Sequence, residues 1–481
     1  VRIWIDSPVG ERYREVVGNV DELGGKVSSE IQLRLPLHRD DDDQQVLVRV
    51  DFDDARAMVK NWGLDLSQVK GKLLVTQDTI VAEQLDAKFF GDPVSISINT
   101  EAPGGNTVVN VNGLLESANL LKRLPDKIAQ YVEGKSDWQI RLVIAPETAP
   151  DQQPYLQITA ASKLGNTQIA LPQPFAKSGP DSARFSADIS FFPEQIEFTA
   201  NLGPEIRSRG DLLLVNEQEF ELNSLELAFA AELEPLKRGG LILHGFAEQI
   251  SIDDWIDVFK GSGVTSPALL KAANLKFDRV FAFNHVLENV QFDLRQTDEQ
   301  RFLGEIESSI ASGRFTVPNQ ISAKNPLRVN LEYLRLDKQE QEAGYASLLP
   351  GDLVDFRLDS LALVFHDMLF NDVTIEVRQA GNELHVDNLS MRRDEILLSS
   401  KAHWEYDPGS KSHLSSVDLS FKGPGFGQAI SGLGFGESIN GGRVDFNGRF
   451  NWPASLLAFE LENLAGCLLY TSDAADDDYT V

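Results

Sequence analysis

Apolar and polar residues alternate with a period of two along most of the chain. Val46, Val48, Val50 and Phe52 fall on one side, with Leu47, Arg49 and Asp51 between them. Val373, Ile375 and Val377 alternate with Thr374, Glu376 and Arg378, and Val417, Leu419 and Phe421 with Asp418, Ser420 and Lys422. Val444, Phe446, Phe450 and Trp452 share a face that Gly448 interrupts. Successive side chains on a strand point to opposite faces, so these runs predict strands with one apolar and one polar side. Turn-rich stretches such as Ala380-Gly381-Asn382-Glu383 and Asp407-Pro408-Gly409-Ser410 separate them. The pattern predicts a mainly β, antiparallel protein. At ~8–12 residues per strand and turn, it holds on the order of 40 strands of ~5–6 residues.

Helical spacing is confined to short stretches. Residues from about Leu114 to Val132 read as a helix broken at Pro125. A second runs from Ile252 to Phe259, capped by an aspartate near its start and stopped by Gly261. A third is expected between Gly427 and Ile439. There is no fixed repeat of the length that marks propellers or regular solenoids. The chain therefore reads as one continuous elongated segment over residues 1–466, loosely divided into 1–111, 112–261 and 262–466.

Composition narrows the function classes. With 44 basic against 73 acidic residues the formal charge is −29, which opposes binding to nucleic acid phosphates or to an anionic membrane surface. No apolar run approaches the ~20 residues that span a bilayer. The opening Val1-Arg2-Ile3-Trp4-Ile5 is too short for a secretory signal, and without an initiating methionine it reads as the interior of a larger protein. The single cysteine, Cys467, lies in a stretch through Asp476 that resembles the translation of a sequencing adapter. Residues 467–481 are accordingly read as an artefactual tail, leaving a natural part without disulfides or thiolate metal sites.

Catalytic signatures do not emerge. A G-x-S-x-G elbow is missing. Gly134-Lys135-Ser136 resembles the end of a phosphate loop, but Ala129 stands where the leading glycine belongs. The glycines from Gly423 to Gly436 never complete G-x-G-x-x-G, because Gln428, Ile430, Glu437 and Ile439 occupy the closing positions. His38, His244, His285, His366, His385, His403 and His413 are scattered singly, and none is read as paired with another His or a Glu at metal-ligand spacing. Asp40 to Asp43 reads as a solvated loop lacking the spaced ligands and turn glycine of a calcium site. No catalytic residue, metal or cofactor is expected, although paired carboxylates meeting only in space would escape a sequence reading.

A family resemblance emerges between Phe421 and Gly466. The stretch runs through Phe421-Lys422-Gly423-Pro424-Gly425-Phe426-Gly427 and Gly434-Phe435-Gly436 to the double glycine Gly441-Gly442. The strand Val444 to Trp452-Pro453 follows, and Leu461-Glu462-Asn463-Leu464-Ala465-Gly466 closes it. Upstream, Leu66 to Leu73, Leu85 to Gly91, Ile252-Asp253-Asp254-Trp255 and Pro326 to Leu331 carry further degenerate pieces in the same order. Together these resemble the AsmA-like superfamily, in particular its YhdP branch, over essentially residues 1–466.

The resemblance implies a long twisted antiparallel sheet curled into an open groove, with a few short helices. It also implies a non-enzymatic periplasmic segment of a Gram-negative envelope protein anchored in the inner membrane. The implied role is carrying phospholipid between the inner and outer membranes, with acyl chains against the apolar side of the sheet. The residues expected to line that groove are Val373, Ile375, Val377, Val417, Leu419, Phe421, Val444, Phe446, Phe450 and Trp452. Alternation by itself more often means two sheets packed face to face, which would make the chain a scaffold with a filled core. The helices at 114–132 and 252–259 are expected to plug or cap the sheet, or to gate it.

Overall fold

The computed structural model describes residues 22–34, 45–59, 64–120, 129–146, 153–216, 219–234, 239–262, 269–282, 285–336, 349–365, 368–424, 443–456 and 465–473. Where apolar and polar residues alternate, the backbone is extended and paired. The chain is mainly β and divides into two units, Val1–Phe246 with Trp255–Leu269, and Ala247–Asp254 with Leu270–Val481.

The first unit contains β1 (Glu22–Arg34), β2 (Gln45–Val59), β3 (Leu64–Thr76), β4 (Ile80–Phe89), β5 (Asp92–Thr100), β6 (Thr107–Glu116) and β7 (Val132–Glu133). It continues with β8 (Lys135–Ile144), β9 (Leu156–Ser162), β10 (Gln168–Ile169), β11 (Phe185–Phe191), β12 (Gln195–Leu202), β13 (Ile206–Asn216) and β14 (Glu219–Phe229). Each strand pairs antiparallel with the next from β1 to β6, then through β8, β9 and β11 to β14. β7 and β10 form a separate two-stranded ribbon. Gly240–Gly245, opening β15 (Gly240–Ser251), pairs parallel with β14.

The second unit contains β16 (Leu270–Ala282), β17 (His285–Gln296), β18 (Phe302–Glu307), β19 (Ala311–Val317), β20 (Leu327–Leu336) and β21 (Phe356–Phe365). β22 (Met368–Ala380), β23 (Glu383–Arg393), β24 (Ile396–Asp407), β25 (Ser412–Pro424), β26 (Arg443–Trp452) and β27 (Ala465–Asp473) follow. Neighbours pair antiparallel in chain order, except that β20 and β21 are parallel.

Several expectations need correction. The sheet is not wholly antiparallel, because β14–β15 and β20–β21 run the same way. Parallel neighbours must be joined by a returning connection, which local alternation does not reveal. Strands are also fewer and longer than expected, twenty-seven among the described residues, with β2 reaching 15. Finally, Leu114 to Glu116 finish a strand, and only Ser117–Leu120 (α1) is helical before the chain leaves the described residues at 121–128. The helix at 252–259 is present as α2 (Ile252–Ser262), but its cap is Ser251, whose Oγ accepts from the Asp254 amide at 3.3 Å, and Gly261 lies inside it. The expected helix within 427–439 and the loop at Asp40 to Asp43 lie outside the described residues. The backbone of Ala465–Asp473, reaching into the stretch read as an adapter tail, pairs with β26.

Bulges explain how long strands curl. Gly25, Gly71, Gly313 and Asp372 all have positive φ inside strands and sit beside register shifts. Each bulge inserts an unpaired residue, bends its strand and raises the local twist.

Candidate functional site

Register carries one apolar face from strand to strand. In the second unit Val329 of β20 neighbours Leu358 of β21, which faces Ile375 of β22. Ile375 faces Leu389 of β23, then come Ser400 of β24 and Leu419 of β25. Val417 lies across from Phe450, Phe421 from Phe446, and Gly423 from Val444; Ser415 lies across from Trp452. Eight of the ten residues expected to line a groove, Val373, Ile375, Val377, Val417, Leu419, Phe421, Phe450 and Trp452, therefore share one side of β22, β25 and β26. The side chains of Val444 and Phe446 lie outside the described set.

Burial divides this face into a closed rim and a half-open floor. Trp404 has no exposed surface and packs with Val377, Leu384 and Val386, while Leu353, Phe356 and Leu456 lie against them. The Trp452 indole N–H donates to the Ser455 carbonyl at 2.9 Å, and Ser415 Oγ donates to the Ala454 carbonyl at 2.8 Å. Val377 and Trp452 thus belong to a rim roofed by connecting segments. Val373 is buried in a cluster with Leu363, Met368 and Phe370, and Phe421 is also buried. Ile375, Val417, Leu419 and Phe450 are half-buried, as are Val329, Leu358 and Leu389.

The first unit follows the same plan. Val109, Leu142, Ile158, Ile189 and Phe198 stand side by side from β6 to β12 and are half-buried. One strand end is closed. Leu164 is buried with Leu115 and Trp138, and Leu120 and Ile169 pack against them. Phe175 meets Phe229 edge-on at 5.9 Å and Trp255 of α2 at 5.8 Å, and the Trp255 indole N–H donates to the Gln173 carbonyl at 2.9 Å. This contact ties α2 to the segment that follows β10.

The excursion between β9 and β11 supplies Leu164, Ile169 and Phe175 to this closure. It was not foreseen, because its anchor is polar. Buried Thr167 Oγ1 lies 2.6 Å from Ser117 Oγ and 2.8 Å from Ser136 Oγ, and Lys177 Nζ donates to the Thr167 carbonyl at 2.6 Å. Burial pushes the Lys177 ammonium below its usual pKa.

At β1 the apolar face is open. Val27, Ile31 and Leu33 share the side of Phe52, Val48 and Val46, yet they are 51%, 58% and 62% exposed. Among the described residues the buried indole N–H of Trp138 has no acceptor.

Two polar features stand away from this face. A cavity of about 590 Å³ is lined by Asp188, Glu197, Arg209 and Asp211 on the polar side of β11–β14. Asp211 there accepts hydrogen bonds from Ser224, from Asn223 at 2.8 Å and from Gln195 at 3.3 Å. The reading of the histidines as unpaired is also corrected. His244 lies 2.8 Å from buried Glu226, and His385 meets His403 and Glu383. Sequence separation hid Glu226 and His403, which strand register brings to their partners, whereas Glu383 lies two residues before His385 on the same side of one strand.

Among the described residues no helix is long and apolar enough to cross a membrane. Comparison with curated proteins and with solved structures gave no match. A family model described as YhdP protein matches residues 2–472, nearly the whole length. The chain belongs to the YhdP protein family.

Proposed function

We propose that the chain carries phospholipid across the periplasm between the inner and outer membranes of a Gram-negative envelope, with acyl chains lying along the apolar sheet face and no catalytic step. One observation carries this reading. The face runs in register from β20 to β26 and from β6 to β12, yet its floor is half-buried, and at β1 its apolar residues are more than half exposed. Soluble proteins rarely leave such contiguous apolar surface uncovered unless it binds something. Each methylene moved from water onto it contributes about 0.8 kcal/mol, and the contact is non-directional, so a chain can slide.

The roofed rims favour a second reading, a non-catalytic envelope scaffold whose core is filled by its own residues. Mass spectrometry of lipid bound to the purified chain separates the two. Carriage predicts co-purified phospholipid, reduced at least about tenfold in Ile375→Asp, because a carboxylate on an apolar floor costs several kcal/mol to desolvate. Circular dichroism should find that variant folded, since Ile375 is half-buried. An empty wild-type protein, or an Ile375→Asp variant that unfolds, would sink the transport reading.

A further inference from the structure

The polar side of β23 and β24 holds a cluster that the transport reading does not use. Glu383 and His385 are two residues apart on β23 and so project from the same side. His403 of β24 lies directly across from His385, and the two imidazoles stack with centroids 4.7 Å apart and planes 22° from parallel. Glu383 Oε2 is 3.2 Å from His385 Nε2 and 3.3 Å from His403 Nε2. All three ligand atoms lie within 4.8 Å of one another.

Tetrahedral zinc with bonds of ~2.0–2.1 Å separates its ligand atoms by ~3.3–3.4 Å. The two carboxylate–imidazole separations are already close to that edge length, and the stacked rings, 22° from parallel, have to rotate about their side-chain bonds for both Nε2 lone pairs to converge on one ion. We propose that Glu383, His385 and His403 bind a divalent transition-metal ion such as Zn²⁺, through one carboxylate oxygen and two imidazole nitrogens. The fourth position is left to water or to a donor from outside the chain. Two imidazoles select zinc and its transition-metal neighbours over calcium and magnesium, which prefer all-oxygen sites.

The surroundings favour a cation. All three side chains are partly exposed, so the ion has a path from solvent. Arg378, across from His385 on β22, is held by Asp387 through bonds of 3.0 and 3.2 Å, which offsets its charge. Glu405, across from Glu383, adds a second carboxylate on the same side. An ion here would pin β23 to β24 without touching the apolar face, so its absence would leave the transport reading intact.

Calorimetric titration of ZnCl₂ into tag-free, chelator-treated full chain tests the site. The expected result is one micromolar site, weakened at least about tenfold in His385→Ala and in Glu383→Gln and abolished in His385→Ala/His403→Ala. Co²⁺ should give the visible absorption of a tetrahedral nitrogen–oxygen site, lost in the same double variant. Circular dichroism checks folding, and His403→Gln, which keeps a polar side chain but removes the ligand, substitutes for any alanine variant that unfolds. Failure to bind below about 1 mM, or equal binding by wild type and the folded double variant, overturns the proposal.

Discussion

The indole of Trp404 is wholly enclosed, so its N–H must find an acceptor inside the fold. His413 Nδ1 supplies it at 3.1 Å, which requires a neutral ring with its proton on Nε2. Burial pushes the His413 pKa below its usual 6.5. A histidine with a depressed folded pKa contributes stability that is present above the unfolded value and lost as pH falls through the folded one. Urea melts between pH 8 and pH 5 should therefore show stability declining below about 6.5. In His413→Gln, whose side-chain amide can still accept from the indole, that part of the decline should vanish. An unchanged pH profile in the variant would refute the assignment. Alternation alone could not reveal this pair, because His413 enters β25 at a position where a strand reading expects any half-buried residue.

Single strands show what the sequence made legible. Val373, Ile375 and Val377 read correctly as one face, since alternation there is uninterrupted. Phe370 and Val373 also share that face despite their odd spacing, because Asp372 sits between them at φ 50° beside a register shift. A bulge of this kind breaks the period of two, so its position cannot be read from hydropathy. Aspartate tolerates left-handed backbone because its short polar side chain can bond locally, whereas a β-branched residue cannot relieve the clash. Asp372→Gly should alter stability by no more than about 0.5 kcal/mol, while Asp372→Val should lose about 1–2 kcal/mol. Chemical denaturation of the pair checks this, and equal stability would mean that the bulge does not hold the left-handed conformation in solution. The helix expected from Leu114 starts only at Ser117, for a related reason. Leu114 and Leu115 are consecutive apolar residues at the end of β6, one exposed and one buried, and such a doublet fits a helix face as well as a strand.

For the whole molecule, alternation could not choose between a sheet packed on a second layer and a sheet left open, because both demand the same apolar face. The two differ in exposure, which depends on where connecting segments fold back, and those segments are anchored by polar groups such as Thr167 and Lys177 that carry no hydropathy signal. The charge of −29 adds a constraint of its own. Like charges repel an anionic bilayer, and salt screens that repulsion with a Debye length of ~10 Å at 0.1 M and ~3 Å at 1 M. Acyl burial is uncharged and should ignore salt. Raising NaCl from about 0.05 M to about 0.5 M should therefore increase co-sedimentation of the chain with anionic vesicles, while the lipid retained per protein molecule stays constant. If retained lipid instead falls as salt rises, headgroup charge rather than the apolar face holds the cargo. The floor residues from Val329 to Leu419 would then have no part in carrying it.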